Sequence, residues 1–179
     1  MITIVNYGLG NVQAFANIYS RLGIQYSIAT SPDDLTGCSH LLLPGVGSFD
    51  WAMQRLNASE MRPVLDKLVL HNGIPVLGVC VGMQIMANSS EEGSLPGLGW
   101  IEGQVKRFAF DMDFKTSPLP HMGWNDISPS DHPLLTGLVN PRFYFLHSYY
   151  FQPKFPHDLL SNTFYGKSFA SCVGRDNIF

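Results

Sequence analysis

The first half of the chain alternates between two hydrophobic patterns. "ITIVNY" (2–7) is a short apolar run that stops at the turn "GLGN". The next stretch, "VQAFANIYSRLG" (12–23), places Val12, Phe15, Ile18, Tyr19 and Leu22 near helical spacing, with Gly23 positioned to end the helix. "QYSIAT" (25–30) reads as a second strand. "HLLLPGVG" (40–47) reads as a third, apolar on both faces and stopped by Pro44 and Gly45. "DWAMQRLN" (50–57) and "MRPVLDKLVLHNG" (61–73) carry helical spacing, "IPVLGV" (74–79) is a fourth strand, and "GMQIMANS" (82–89) a further helix. Strand and helix alternate to about Ser90, which predicts a parallel sheet with helices on both faces.

The pattern then changes. "GLGWIEGQVKRF", "HMGWNDIS", "RFYFLHSYYF" and "SFASCVGRDNIF" are aromatic-rich and interrupted by Gly, Pro and Asn. They predict antiparallel strands added to the first half, the last being a hairpin whose second strand, "NIF", has just begun. There is no internal repeat, low-complexity tract or linker, so residues 1–179 are expected to form one α/β domain.

Composition narrows the function classes. The chain is 45% hydrophobic with a net charge of −3 and no cluster of Lys and Arg, which argues against nucleic acid as a partner. The opening "MITIVNYG" lacks the features of a signal peptide, and no apolar run is long enough to span a bilayer. The three cysteines, Cys38, Cys80 and Cys172, are widely spaced, suggesting neither a disulfide framework nor a zinc site, and a reducing cytoplasm is expected. Nothing in the pattern calls for a metal or cofactor.

Cys80 is the residue that carries chemistry. It lies at the carboxyl end of the fourth strand, where active sites of open parallel sheets gather. The frame Gly78-x-Cys80-x-Gly82 has the spacing of a nucleophile elbow. A helix N-terminus there would favour the thiolate, and the Val81 N–H could donate to a developing oxyanion. Free Cys is also among the most buried residue types, so these residues alone leave two readings open, a core thiol and a nucleophile. "PGVG" (44–47) ends the neighbouring strand. "SSEEG" (89–93) offers acids that could hold an ammonium, and "FLHSYYF" (145–151) places His147, Ser148 and Tyr149 in an aromatic strand. Cys38 and Cys172 read as ordinary buried thiols.

Together, "PGVGS", "GVCVGMQ", "SEEG", "PHMGWN" and "YFLHSY" resemble the class I (triad) glutamine amidotransferases, and the resemblance runs from Ile2 to Phe179. It implies a flavodoxin-like amidotransferase fold and a glutaminase that releases ammonia through a Cys80 thioester. The implied oxyanion hole uses the N–H of Val81 and the backbone at Val46 and Gly47. Gln84, Glu92, Ser148 and Tyr149 would hold the glutamine α-amino and α-carboxylate groups. Asn11, His121, Met122, Trp124 and Asn125 would face a partner, a (β/α)₈-barrel cyclase, in a heterodimer. Trp124 could instead fill the chain's own core. Met83 and "PHMGWN" are similar to the branch of the family that serves histidine biosynthesis. The alternatives are a branch feeding a sugar-modifying synthase for surface polysaccharide, and a catalytically dead module that only docks on a partner.

The chain departs from the family pattern at one place. The family's general base is a His two residues before a Glu, in a His-Pro-Glu motif shortly after a strand like "DNIF". None of the six histidines, His40, His71, His121, His132, His147 and His157, has that context. The chain thus reads as an amidotransferase domain shortened at its C-terminus, with nucleophile and clamp present, and its own glutaminase activity is expected to be negligible. Should one of the six serve as base, His147 is the first candidate.

Overall fold

The structure, a computed structural model, describes residues 1–109 and 118–179. Its first sheet has four parallel strands in the order β2-β1-β3-β4: β1 (Ile2–Val5), β2 (Tyr26–Ala29), β3 (His40–Gly45) and β4 (Val76–Cys80). The helix α1 (Val12–Arg21) follows β1, and the Asn11 side chain caps its N-terminus by accepting the Ala14 N–H at 3.2 Å. It covers one face of the sheet, where Ala16 meets Ile4 and Leu42. The other face packs against α2 (Phe49–Ala58), α3 (Arg62–Asp66) and the turn through His71. The alternating pattern along the chain therefore has the predicted outcome, a parallel sheet with helices on both faces whose central strands β1 and β3 are the most deeply buried.

The strands of the second half are largely antiparallel. A six-stranded sheet has the order β5-β6-β10-β12-β11-β8, formed by β5 (Ser89–Ser90), β6 (Gly103–Arg107), β8 (Ser128–Pro129), β10 (Tyr149–Pro153), β11 (Leu159–Tyr165) and β12 (Lys167–Val173). A separate ribbon pairs β7 (His121–Asp126) with β9 (Arg142–His147). The main core draws on both sheets: Val5, Leu43 and Val76 share one cluster with Ile101, Val105, Phe151 and Val173. No helix among the described residues is long and apolar enough to cross a membrane.

Two expectations change. The helix expected over 82–89 is a single turn, α4 (Val81–Gln84). It stops because the carbonyls of Ile85, Met86 and Ala87 accept the N–H groups of Leu98, Ile101 and Gly99, so they are engaged by a loop rather than by a further helical turn. The closing "NIF" is not the second strand of a hairpin with β12. It crosses to the parallel sheet and lies along the outer edge of β4, with Val76 N–H donating to Asn177 O at 2.9 Å and Phe179 N–H to Val76 O at 2.9 Å. Asn177 is held there by its side-chain amide, which donates to the carbonyls of Val69 and Ile74.

Candidate active site

The strands β3 and β4 end side by side, with Gly45 in register with Cys80. Cys80 has φ 59° and ψ −119°, a conformation that costs a non-glycine residue roughly 1–3 kcal/mol. Its glycine neighbours are set by close backbone approach. A Cβ on Gly82 would lie 1.9 Å from the Leu43 carbonyl oxygen, and one on Gly78 would lie 2.7 Å from Met83 Cα. One on Gly45 would lie 2.4 Å from Gly82 N. The turn is thus pressed against the end of β3, and it keeps Cys80 exposed while Cys38 is buried and Cys172 half-buried. The expected oxyanion loop follows directly after Gly45, with Val46 half-exposed and Gly47 at φ +93°. Val81 is buried, and its N–H is turned toward the Cys80 sulfur.

The electrostatics differ from expectation. The protein packed around the sulfur pushes the Cys80 thiol up, the Val81 N–H opposes this, and the Glu92 carboxylate adds to the rise. A four-residue helix has little dipole to favour a thiolate, so the resting group is a thiol that needs a base. Beneath the turn lies Tyr7, which the sequence pattern did not single out. It is buried, and its hydroxyl has no hydrogen-bond partner among the described residues. Burial, then the charge of an ionised Cys80, drives its ionisation far above the normal phenol range.

The expected clamp residues converge from three elements. Gln84, on α4, is buried, and its amide nitrogen donates to the Tyr149 carbonyl at 3.1 Å. Glu92 is close enough to Cys80 for its charge to act on the sulfur, and its carboxylate accepts the Phe49 N–H at 2.8 Å. Ser148 and Tyr149 lie where β9 gives way to β10, and the Ser148 carbonyl accepts the Phe108 N–H at 3.1 Å. Asp50 is a second residue missed from sequence. Its carboxylate accepts the N–H groups of Ser94 at 2.9 Å and Leu95 at 3.0 Å, pinning the loop after Glu92 to α2. The only sequence signal was an acid in the first turn of a helix after "PGVGS", which is ordinary helix chemistry.

The expected partner residues divide. On the ribbon, Met122 pairs with Leu146 and Trp124 with Tyr144 across the strands, and all four are more than half exposed. Asp126 and Arg142 close that face with an ion pair of 2.8 Å. Trp124 therefore lies outside the core. His121 does not face outward: the period of two puts it on the inner face of the ribbon, 3% exposed and paired with His147. Asn125, on the same inner face, is half-buried and donates to the Phe164 carbonyl at 3.0 Å. Asn11 is exposed at the start of α1.

His147 is not available as the missing base. Its Nδ1 bonds to the Tyr149 carbonyl and its Nε2 to His121. His40 is tied to Ser39, His132 caps the Leu134 N–H, and His157 lies beside Asp158.

A strained, exposed cysteine at a strand-to-helix turn, beside a glycine loop and an acid, is an arrangement on an α/β sheet that suits nucleophilic acyl transfer. The chain belongs to the class-I glutamine amidotransferases, whose family pattern it matches over residues 3–174. It is 50% identical to the imidazole glycerol phosphate synthase subunit HisH of Bdellovibrio bacteriovorus and 49% identical to that of Leptospira interrogans. Each match covers the whole of this chain and 89% of the relative. Among solved structures, a crystal structure of a glutamine amidotransferase superimposes with a TM-score of 0.74 at 19% identity, covering 99% of this chain and 86% of the other. PurLQS from Thermotoga maritima gives 0.67 at 16% identity, covering 99% and 84%. Those two likenesses support the fold: a parallel sheet with helices, joined to antiparallel strands.

Proposed function

We propose that this chain is the glutaminase subunit of an imidazole glycerol phosphate synthase, acting in the cytoplasm in histidine biosynthesis. The observation that carries the reading is Cys80, exposed at a strained turn within electrostatic reach of Glu92. The Cys80 thiolate would attack the side-chain amide carbon of glutamine. The C–N bond then breaks, ammonia leaves, and a γ-glutamyl thioester remains, which water hydrolyses to glutamate and free thiol. The N–H of Val81 and the backbone at Val46 and Gly47 would receive the oxyanion. Gln84, Glu92, Ser148 and Tyr149 would hold the zwitterionic end of the substrate, and that fixed orientation is itself a large part of the rate.

The ammonia would pass to a (β/α)₈-barrel cyclase docked on the ribbon. Met122, Trp124, Tyr144 and Leu146 form a contiguous apolar and aromatic face of the kind enriched at protein interfaces. Asn11, exposed at the start of α1, would add a polar contact to the partner, and Asn125, on the ribbon's inner face, would support the ribbon from behind. The relatives named above support this choice of pathway.

Labelling with a diazo-ketone glutamine analogue, located by mass spectrometry, tests the site: the label should fall on Cys80, and label on Cys38 or Cys172 alone would refute it. Growth of a histidine auxotroph lacking this subunit, supplied with this chain extended by a His-x-Glu segment that restores ammonia release, tests the pathway. Failure of complementation despite labelled Cys80 would point to a synthase of another pathway, such as one modifying sugars for surface polysaccharide.

A further inference from the structure

The Tyr149 carbonyl receives two side chains, Gln84 Nε2 at 3.1 Å and His147 Nδ1 at 2.8 Å. A carbonyl oxygen only accepts, and it has two lone pairs, so both partners must donate and both sites are filled. His147 therefore carries its proton on Nδ1. Its bare Nε2 faces His121 Nδ1 at 2.9 Å, so His121 must donate, which leaves His121 Nε2 as an acceptor. Asn125 Nδ2 lies 3.3 Å from that nitrogen and also donates to the Phe164 carbonyl. One proton arrangement satisfies the whole chain, with both rings neutral. The rings are held in place by packing: His121 is stacked between Tyr165, with centroids 3.9 Å apart, and Phe145 at 4.9 Å, and Phe108 sets its ring edge-on to His147. Burial holds His121 down at about 4, and burial also lowers His147, partly offset by its bond to Tyr149.

We propose that His147 is a positioning residue for glutamine, fixing the Tyr149 carbonyl that orients the Gln84 amide, with its tautomer supplied by His121 and Asn125 of the ribbon. The proposal rests on the reading of Gln84 as part of the substrate clamp. Anchoring the amide nitrogen on Tyr149 turns the Gln84 oxygen the other way, as an acceptor aimed away from the strand. Without the Nδ1 donor, the carbonyl loses one of the two groups that set its direction. The inner face of the ribbon, opposite the face that would meet the partner, is thereby joined to the clamp through an unbroken run of hydrogen bonds.

Two measurements on the 179-residue chain test this. Nitrogen-15 spectra of the labelled imidazoles should show both His121 and His147 neutral and protonated at Nδ1 at pH 6. An Nε2–H tautomer or a charged ring at His147 would overturn the proposal whatever the enzyme does. Glutamine titrations followed by NMR should then separate two variants of similar size. His147→Asn can keep a donor near the Nδ1 position, and His147→Gln can reach only the Nε2 position. The expected result is about tenfold weaker glutamine binding for His147→Gln and at most about threefold for His147→Asn, the scale of one hydrogen bond. Equal losses in the two would overturn the donor role, as would no loss in His147→Gln while Gln84→Leu is weakened, which leaves the glutaminase reading intact. Undiminished binding by Gln84→Leu, or no binding by the unaltered chain, would overturn the clamp reading and this proposal with it.

Discussion

The Glu92 carboxylate accepts the backbone N–H of Phe49 at 2.8 Å, so an acid of the proposed clamp is seated on the N-terminus of α2. Asp50, the next residue, returns the contact by accepting Ser94 and Leu95. The loop that carries Glu92 and the loop that carries Val46 and Gly47 are thus braced on the same helix start. Gly93 is part of the brace, because a Cβ there would lie 2.0 Å from Asp50 Oδ1.

Asp50→Asn should loosen that brace. The amide has one accepting oxygen where the carboxylate has two to receive the Ser94 and Leu95 N–H groups and the Ser94 hydroxyl, and hydrogen exchange at Ser94 and Leu95 should quicken on the order of tenfold. The bonds from Ser94, foremost, and Leu95 hold the Asp50 carboxyl below its ordinary value. A depressed acid contributes stability above its unfolded value, about 3.9, and loses it as pH falls through the lower folded value. Protection of these two amides should therefore fail selectively below about pH 4 in the unaltered chain and be flat with pH in Asp50→Asn. Equal pH dependence in both would remove Asp50 from the brace.

Gly82→Ala should disrupt the elbow. The new Cβ would meet backbone, the Leu43 carbonyl at 1.9 Å, which cannot swing aside as a side chain can. A loss of about 3 kcal/mol or more is expected by chemical denaturation, at the upper end of overpacking effects. A change below about 1 kcal/mol, the ordinary single-site value, would show that β3 and α4 are not pressed together.

Cys80 alkylation should report its surroundings. Because the protein packed around the sulfur and Glu92 both raise the thiol, the midpoint of the rate–pH profile should lie above about 8.5, the midpoint for an ordinary thiol. Glu92→Gln removes the negative charge and should move the profile to lower pH. Tyr7→Phe deletes a buried hydroxyl that has no partner among the described residues, so stability should be unchanged or rise by about 1 kcal/mol. A clear loss of stability would mean that the hydroxyl is bonded within the fold.

Met122→Asp and Trp124→Asp should leave the melting temperature of the isolated chain nearly unchanged, since both side chains are more than half exposed. Against the cyclase each should cost about 2 kcal/mol or more, the scale of an interface anchor. Calorimetry of the complex is the check. Affinity unaltered by both substitutions would rule out the ribbon as the docking face.

The 179-residue chain should turn over glutamine slowly, because His40, His121, His132, His147 and His157 are engaged with groups other than Cys80 among the described residues, and the thiol is held protonated. Adding a His-x-Glu segment after Phe179 should raise ammonia release by roughly 10²–10⁴, the range supplied by general acid–base catalysis. The edge of β4, where Asn177 and Phe179 already pair with Val76, would carry that segment toward the end of the strand that holds Cys80. Equal rates with and without the segment would require a base already present.

Local information determined much of this protein. Strands such as "HLLLPG" and the helix starting at Val12 follow from periodicity and turn residues acting over a few neighbours, and Gly78 of the Gly-x-Cys-x-Gly frame answers a local constraint, the close approach of Met83, whereas Gly82 answers to Leu43 on a distant strand. The residues that only the tertiary structure placed depend on partners far along the chain. Asp50 meets Ser94, Asn177 meets Val69, and Tyr149 collects Gln84 and His147. The "NIF" segment paired with a distant parallel strand instead of its neighbour because hydrogen-bonding edges, unlike hydrophobic period, leave no mark in sequence. His121 and Trp124 lie three residues apart in one motif, yet the ribbon's pleat buries the first and exposes the second. Alternation says that they face opposite sides; only the packing of Tyr165 and Phe145 around His121 decides which side is inside.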